Sequence, residues 1–218
     1  MEKARLMYFF DPLCGWCYGF SAVMKKVEQL YSEDFSIEVY SGGMIRGERI
    51  GMLSDIAAYI KESLGQVEEM SGVRFGDAFK QKLNGEGDVF LSSDPPSRAL
   101  AVMKKQFPAK ALKYAEGLQS LVYEQGRSSD DREGFADLAK EFGMERSAFI
   151  QEWESEDSLK WAEEDYYTAH SFGVQGYPAL IAEAGGQYYL IAKGFRDFES
   201  LQSVLEELKA KHVQNDLK

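Results

Sequence analysis

The sequence predicts an α/β fold, written β-α-β, helices, β-β-α, with a large helical segment inserted after the second strand. Three observations carry that reading. Strand-like apolar runs fall only near the two ends of the 218-residue chain. The long stretch between them repeats its apolar residues at helical spacing. A Cys-x-x-Cys pair stands where the first strand gives way to the first helix.

The elements follow in order. Leu6-Met7-Tyr8-Phe9-Phe10 is a continuous apolar run stopped by Asp11-Pro12, the pattern of a strand buried on both faces. Beyond Cys14-Gly15-Trp16-Cys17, the residues Phe20, Val23, Met24, Val27, Leu30 and Tyr31 form one apolar helical stripe. Ser36 to Tyr40 is a second strand, ended by Gly42-Gly43, and the crossover length suits a βαβ unit. From about Ile50 to Phe172 strand signals vanish. Ile56, Tyr59, Ile60 and Leu64 fit one helix face, as do Leu112, Ala115, Leu118 and Val122, and then Phe135, Leu138, Ala139 and Phe142. Loops break this run at Asn84–Gly87, Ser92–Pro96 and Gly126–Asp130, where Ser129 or Asp130 would cap a helix and Ser97-Arg98 would begin another. Strands return at Ala179–Ala182 and Tyr188–Ala192 around a two-residue Gly185-Gly186 turn. Phe198, Leu201, Leu205 and Leu208 mark a last amphipathic helix whose end, with Lys209 and Lys211, is basic.

Composition narrows the function. The chain is 44% hydrophobic and 13% aromatic, ample for a packed core. Its net charge of −11 argues against a nucleic-acid partner, because phosphate contacts need clustered Lys and Arg. No run approaches a membrane span, and the opening apolar run is too short for a secretory signal, so no membrane is expected and the reading is cytoplasmic. With only two cysteines the chain is no disulfide-stapled scaffold.

Those two cysteines point to chemistry. At a helix start, free N–H groups and the helix dipole stabilise a negative sulfur, and a spacing of three brings both sulfurs within one turn. Cys14, nearer the end, is expected to be the exposed nucleophile and Cys17 the resolving thiol of thiol–disulfide exchange. Half of a zinc site shared across a dimer, or two inert core cysteines, are the competing readings. Zinc wants four ligands, and the histidines are only His170 and His212. Tyr177-Pro178, directly before a strand, is the second element. A cis bond there would present the backbone of residue 177 to an extended substrate, and an ordinary trans turn is the alternative.

With Asp11-Pro12-Leu13-Cys14-Gly15-Trp16-Cys17-Tyr18-Gly19-Phe20 at one end and Gly173-Val174-Gln175-Gly176-Tyr177-Pro178-Ala179 at the other, the chain resembles the DsbA-like branch of the thioredoxin superfamily. Within it, the first stretch is similar to the bacterial predicted protein-disulfide isomerases akin to FrnE. The resemblance implies a thioredoxin fold made of residues 1–45 and 173–218, with residues 46–172 as an inserted helical domain. It also implies Cys14 as nucleophile, Cys17 as resolving thiol and Pro178 as a cis-proline facing them. Tyr177 would meet the substrate through its backbone, beside Gly176, and Trp16 and Tyr18 would line the groove. No cofactor is implied beyond the Cys14–Cys17 disulfide itself, with glutathione as a possible electron partner. Protein or small-molecule disulfides and thiols are the expected substrates.

The chain departs from that pattern where the family keeps a buried carboxylate, for Tyr8 stands there. Asp11, in the turn, is left to tune Cys14, although a carboxylate beside a thiolate opposes its ionisation. A cytosolic pair is expected to be kept reduced, favouring reductase or isomerase work. A glutathione-dependent isomerase or transferase of the kappa type shares the inserted architecture but typically carries serine at the reactive position. A non-catalytic, chaperone-like binding module is the reading from a different class. His170 is expected to be solvated, Phe20 to sit in the core, and Arg98 either to reach the site or to remain surface charge.

Overall fold

A computed structural model describes residues 3–216. Strand β1 (Ala4–Phe10) turns at Asp11 into helix α1 (Gly15–Tyr31), and β2 (Phe35–Ser41) returns parallel to β1. A short pairing of β3 (Gly51–Met52) with β4 (Phe90–Leu91) encloses α2 (Leu53–Ser71) and α3 (Asp77–Leu83). Five helices follow: α4 (Asp94–Gln106), α5 (Ala111–Tyr123), α6 (Arg132–Glu141), α7 (Arg146–Trp153) and α8 (Glu156–Ser171). Strands β5 (Ala179–Ala184) and β6 (Gln187–Lys193) and helix α9 (Phe198–Asp216) complete the chain. The main sheet runs β2-β1-β5-β6, with β5 antiparallel to both of its neighbours. Among the described residues no helix is long and apolar enough to cross a membrane.

The apolar run of β1 explains its central place. Leu6, Tyr8 and Phe10 point to the face covered by α1, α5 and α9, while Met7 and Phe9 point to the face where Ala169 of α8 and Phe172 close the other side. Each fully buried side chain of this size contributes about 1.5–3 kcal/mol relative to an exposed one. In the β5–β6 turn Gly185 and Gly186 have φ of 58° and 74°, the left-handed pair that a two-residue hairpin matched to strand twist requires.

Several details correct the sequence reading. The helical stretch contains the β3–β4 pairing, whose two-residue strands are too short to show alternation. Leu30 leaves the α1 stripe and is 61% exposed. On α2, Leu53 and Val67 are buried, whereas Ile56 and Tyr59 are exposed and border an open cavity. Helix α4 begins at Asp94, with both prolines in its first turn, where their missing N–H groups cost nothing. The cap of α6 is Asp131, whose carboxylate accepts from Gly134 N at 3.0 Å, because Ser129 Oγ already accepts from Ser92 N. Helix α9 runs on to Asp216, so Lys209 and Lys211 do not end it.

One core spans the sheet and the inserted helices. Leu6, Phe10, Phe20 and Leu180 belong to the same buried cluster as Leu100, Tyr114, Leu118 and Phe135. A second cluster joins Leu13 and Tyr18 to Phe75, Phe79, Val122 and Tyr123. Leu100→Ala is therefore expected to cost about 2–5 kcal/mol. It should also lower one shared transition, with circular dichroism and tryptophan fluorescence giving coincident denaturant midpoints. Two separated transitions would show that the insert folds independently.

Candidate active site

Cys14 is the N-cap of α1. Its Sγ accepts a hydrogen bond from Cys17 N at 3.3 Å and donates to the carbonyl of Tyr177 at 3.5 Å. The Tyr177–Pro178 bond is cis. Both cysteines are free thiols. Cys14 is only 5% exposed, not the open nucleophile that its position at the helix end suggests, because capping tucks the sulfur against the proline loop. Cys17 is fully buried, and burial, then the neighbouring Cys14 sulfur, pushes its thiol well above the ordinary range. Unaided, Cys17 keeps its proton.

The proline loop is seated by Tyr177, whose hydroxyl donates to Gly42 O at 2.9 Å. A Cβ at residue 42 would come within 1.9 Å of the Tyr177 ring, so only glycine lets that ring lie where it does. Burial holds the Tyr177 phenol up at about 12. Gly176 is exposed and has open space above it, and Pro178 is buried. Trp16 is half-buried and meets Phe195 with ring centroids 6.1 Å apart.

Tyr18 does not line a groove. It is 6% exposed, packs on Phe75 and Tyr123, and places its hydroxyl 3.0 Å from both Arg74 O and Glu124 Oε1. The single proton of a phenol is thus shared between two acceptors, and Tyr18 fixes α1 to the insert. Arg98 does not reach the site either: its guanidinium donates to Trp153 O, Ser155 O and Ser158 Oγ, binding α4 to the start of α8. Phe20 is fully buried and His170 is exposed.

The residue whose role the sequence concealed is Asp11. It is completely buried, and its carboxylate accepts from Leu13 N (2.9 Å), Met44 N (2.6 Å) and Ser93 Oγ (2.9 Å), while its carbonyl accepts from Cys14 N at 3.0 Å. Asp11 thereby fixes the turn that presents the cysteines. Burial raises its carboxyl to about 6, and the three donors only partly offset that cost. The sequence signal was the Asp-Pro stop after β1, but its partners lie 33 and 82 positions away.

A cavity of about 480 Å³ adjoins the turn, lined by Leu13, Met44, Ile56, Tyr59, Phe79 and Tyr123 among others. A second, of about 390 Å³, lies between α1, α5 and α6, with Tyr8 and Phe10 in its wall.

A profile of the DSBA-like thioredoxin domain matches residues 5–206. A candidate protein disulfide isomerase from Nitrosomonas europaea superposes with a TM-score of 0.84 at 25% identity, covering 97% of this chain and 100% of that one. The cytosolic disulfide reductase DsbM from Pseudomonas aeruginosa superposes at 0.77 with 19% identity, over 93% and 97% of the two chains. The same reductase with glutathione superposes at 0.74. The ClpXP adapter protein SpxH from Halalkalibacterium halodurans is 23% identical over 185 residues, which are 83% of this chain and 58% of the adapter. The chain thus spans little more than half the length of that relative.

The Asp11 carboxyl makes stability depend on pH in a defined direction. Its folded-state value, about 6, lies above its ordinary 3.8, so its contribution is fully present below about pH 4 and is lost as pH rises through about 6. That interval corresponds to on the order of 3 kcal/mol. Urea unfolding of the wild type between pH 4 and 7 should fall by roughly this amount relative to Asp11→Asn, whose amide does not titrate. Glu68, held at about 2 chiefly by its hydrogen bond to Lys80, moves stability the other way at lower pH and is common to both proteins. Parallel profiles would show that Asp11 does not titrate in this window.

Proposed function

The chain belongs to the DSBA-like thioredoxin family, and on that premise we propose that it exchanges disulfides through Cys14 and Cys17, with no cofactor other than the sulfur pair. The observation that carries this reading is the asymmetry of the two thiols within one helical turn. Cys14 caps the helix and touches the extended Tyr177 carbonyl, whereas Cys17 lies behind it, buried and protonated.

The Cys14 thiolate attacks one sulfur of a substrate disulfide, forming a mixed disulfide and expelling a thiolate. Cys17 then loses its proton and attacks Cys14 Sγ, closing the Cys14–Cys17 bond and releasing the second substrate thiolate. The substrate gains the two electrons and the pair loses them. Run in reverse, the same atoms form a substrate disulfide. Helix α1 supports the step because its first-turn N–H groups face the reacting sulfur, one of them, Cys17 N, already on Cys14 Sγ.

Substrate binding rests on Gly176 and Tyr177, with Trp16 and Pro178 beside the pair. Gly176 leaves the loop open to an extended partner, and the 480 Å³ apolar cavity next to Leu13 suits the apolar side chains that flank a cysteine in an incompletely folded polypeptide. That DsbM has been solved with glutathione supports glutathione as the electron partner, and its cytosolic setting supports the cytoplasm and the reducing direction for this chain.

The test is a pair of single substitutions. Cys14→Ser should abolish insulin reduction, a loss of at least about 10³-fold. Cys17→Ser should leave attack intact and accumulate a mixed disulfide detectable by intact-protein mass spectrometry. A Cys14→Ser protein that still reduces insulin, or a Cys17→Ser protein that traps nothing, would defeat the assignment.

A further inference from the structure

Strand β6 is irregular at the end that meets the start of β5. Ala192 stands opposite Leu180 and Leu190 opposite Ile181, so Ile191 is an extra residue, a β-bulge. Its carbonyl accepts from the Arg196 guanidinium at 2.6 Å. In a regular strand Leu190 and Lys193, three positions apart, would point to opposite faces of the sheet. The bulge instead sends Ile191 and Ala192 together into the common core. Leu190 and Lys193 are left on the other face, with Ala179 and Ile181.

That face is covered over its centre and open at its edge. Ala169 and Phe172 close it above β1 and β5, whereas on β6 Leu190 is 60% exposed and Lys193 is exposed as well. Between β6 and the segment 172–176 lies a cavity of about 110 Å³, lined by Phe172, Val174, Gly176, Ile181, Leu190 and Lys193 among others. At about 30 Å³ per water it has the volume of roughly four waters, near that of one branched aliphatic side chain. Among the described residues of its lining, Lys193 alone carries a charge.

The cavity is continuous with the reactive site. Gly176 belongs both to its lining and to the loop on which substrate binding rests, and the next residue, Tyr177, holds its carbonyl 3.5 Å from Cys14 Sγ. Ala179 and Ile181, on its wall, lie two and four residues beyond Tyr177, about 7 and 13 Å along a strand. The cavity shares no lining residue with the one beside Leu13.

We infer that this cavity is a second substrate subsite. It takes an aliphatic side chain two to four residues from the reacting cysteine of an extended polypeptide, and Lys193 pairs with an acidic residue beside that side chain. The inference rests on the dithiol reading above and gives it a substrate class: extended segments with an aliphatic–acidic pair close to the cysteine. The bulge assembles the subsite, because it brings an apolar and a cationic side chain of odd spacing to one ligand on one face. On a chain of net charge −11, a cation beside an apolar pocket also fixes which way round an acidic segment lies.

The test mixes the fully reduced chain with an excess of short cysteine peptides, each supplied as its disulfide-linked dimer. The peptides carry Leu-Glu three residues before or after the cysteine. Single-turnover oxidation of the chain, followed by acid quench and chromatography, gives a half-saturating concentration and a maximal rate. Replacing the peptide's Leu by Ser should raise the half-saturating concentration at least about tenfold with the maximal rate unchanged, as expected when binding alone is lost. Replacing its Glu by Lys should raise it about threefold. Leu190→Ser should remove the preference for Leu. Lys193→Glu should reverse the charge preference, so that the Lys peptide becomes the tighter substrate, a result that destabilisation alone cannot produce. Equal half-saturation across the panel, or a charge preference that Lys193→Glu leaves as it was, would overturn the subsite. A concentration-dependent dimer that Leu190→Ser breaks, in a chain with no preference among the peptides, would assign the face to a second copy and overturn it too. A wild type that oxidises with none of the peptides would defeat the dithiol reading and the subsite with it.

Discussion

The buried carboxylate of Asp11 joins three segments that are far apart in sequence, and the geometry of the sulfur pair depends on it. Its two oxygens take N–H groups from its own turn and from Met44 and a hydroxyl from Ser93 at the start of α4, while its carbonyl receives Cys14 N. A carboxylate fully withdrawn from water is expensive, and three donors recover only part of that expense. The arrangement secures position. The turn before α1 cannot move without breaking bonds to the β2–β3 connection and to the insert, so Cys14 is held at the helix end by groups the helix does not own.

Burial then divides the labour between two chemically identical side chains. Cys14 sits where a helix terminus, the Cys17 N–H and the Tyr177 carbonyl meet, so its sulfur is polarised from several directions. Cys17, three residues on, is sealed beneath it by Tyr8 and Phe20 in the common core. One turn of helix is enough to place the two thiols in different dielectric surroundings. The insert contributes directly, since α5 supplies Tyr123 to one cluster and Gln119, 3.5 Å from the Asp11 carbonyl, to the other side of the turn.

Much of this was legible in the chain and some was not, for physical reasons. The continuity of the apolar run Leu6–Phe10 and the glycine pair at 185–186 fix strands through local rules, and the observed strands extend those runs by one or two residues. The stripe on α5 was legible because Ala115, Leu118 and Val122 are buried, whereas Tyr59 on α2 follows the same period and is 69% exposed. Period alone cannot tell a core from a cavity wall. Tyr18 read as a groove residue because it neighbours Cys17, but its direction is set by Arg74 and Glu124, distant partners that no local pattern announces. Asp11 was visible as a turn residue and hidden as a hub for the same reason.

The fit between Gly42 and Tyr177 has a consequence for how such sequences vary. The end of β2 and the proline loop share one volume, and the tyrosine ring occupies the space that a side chain at residue 42 would need. The two positions are therefore not free to change independently. A relative with a small residue before its proline has room for a side chain at the strand end, and one with an aromatic there is confined to glycine. Size at these two positions is a joint property, and a pair of aligned columns records it better than either column alone.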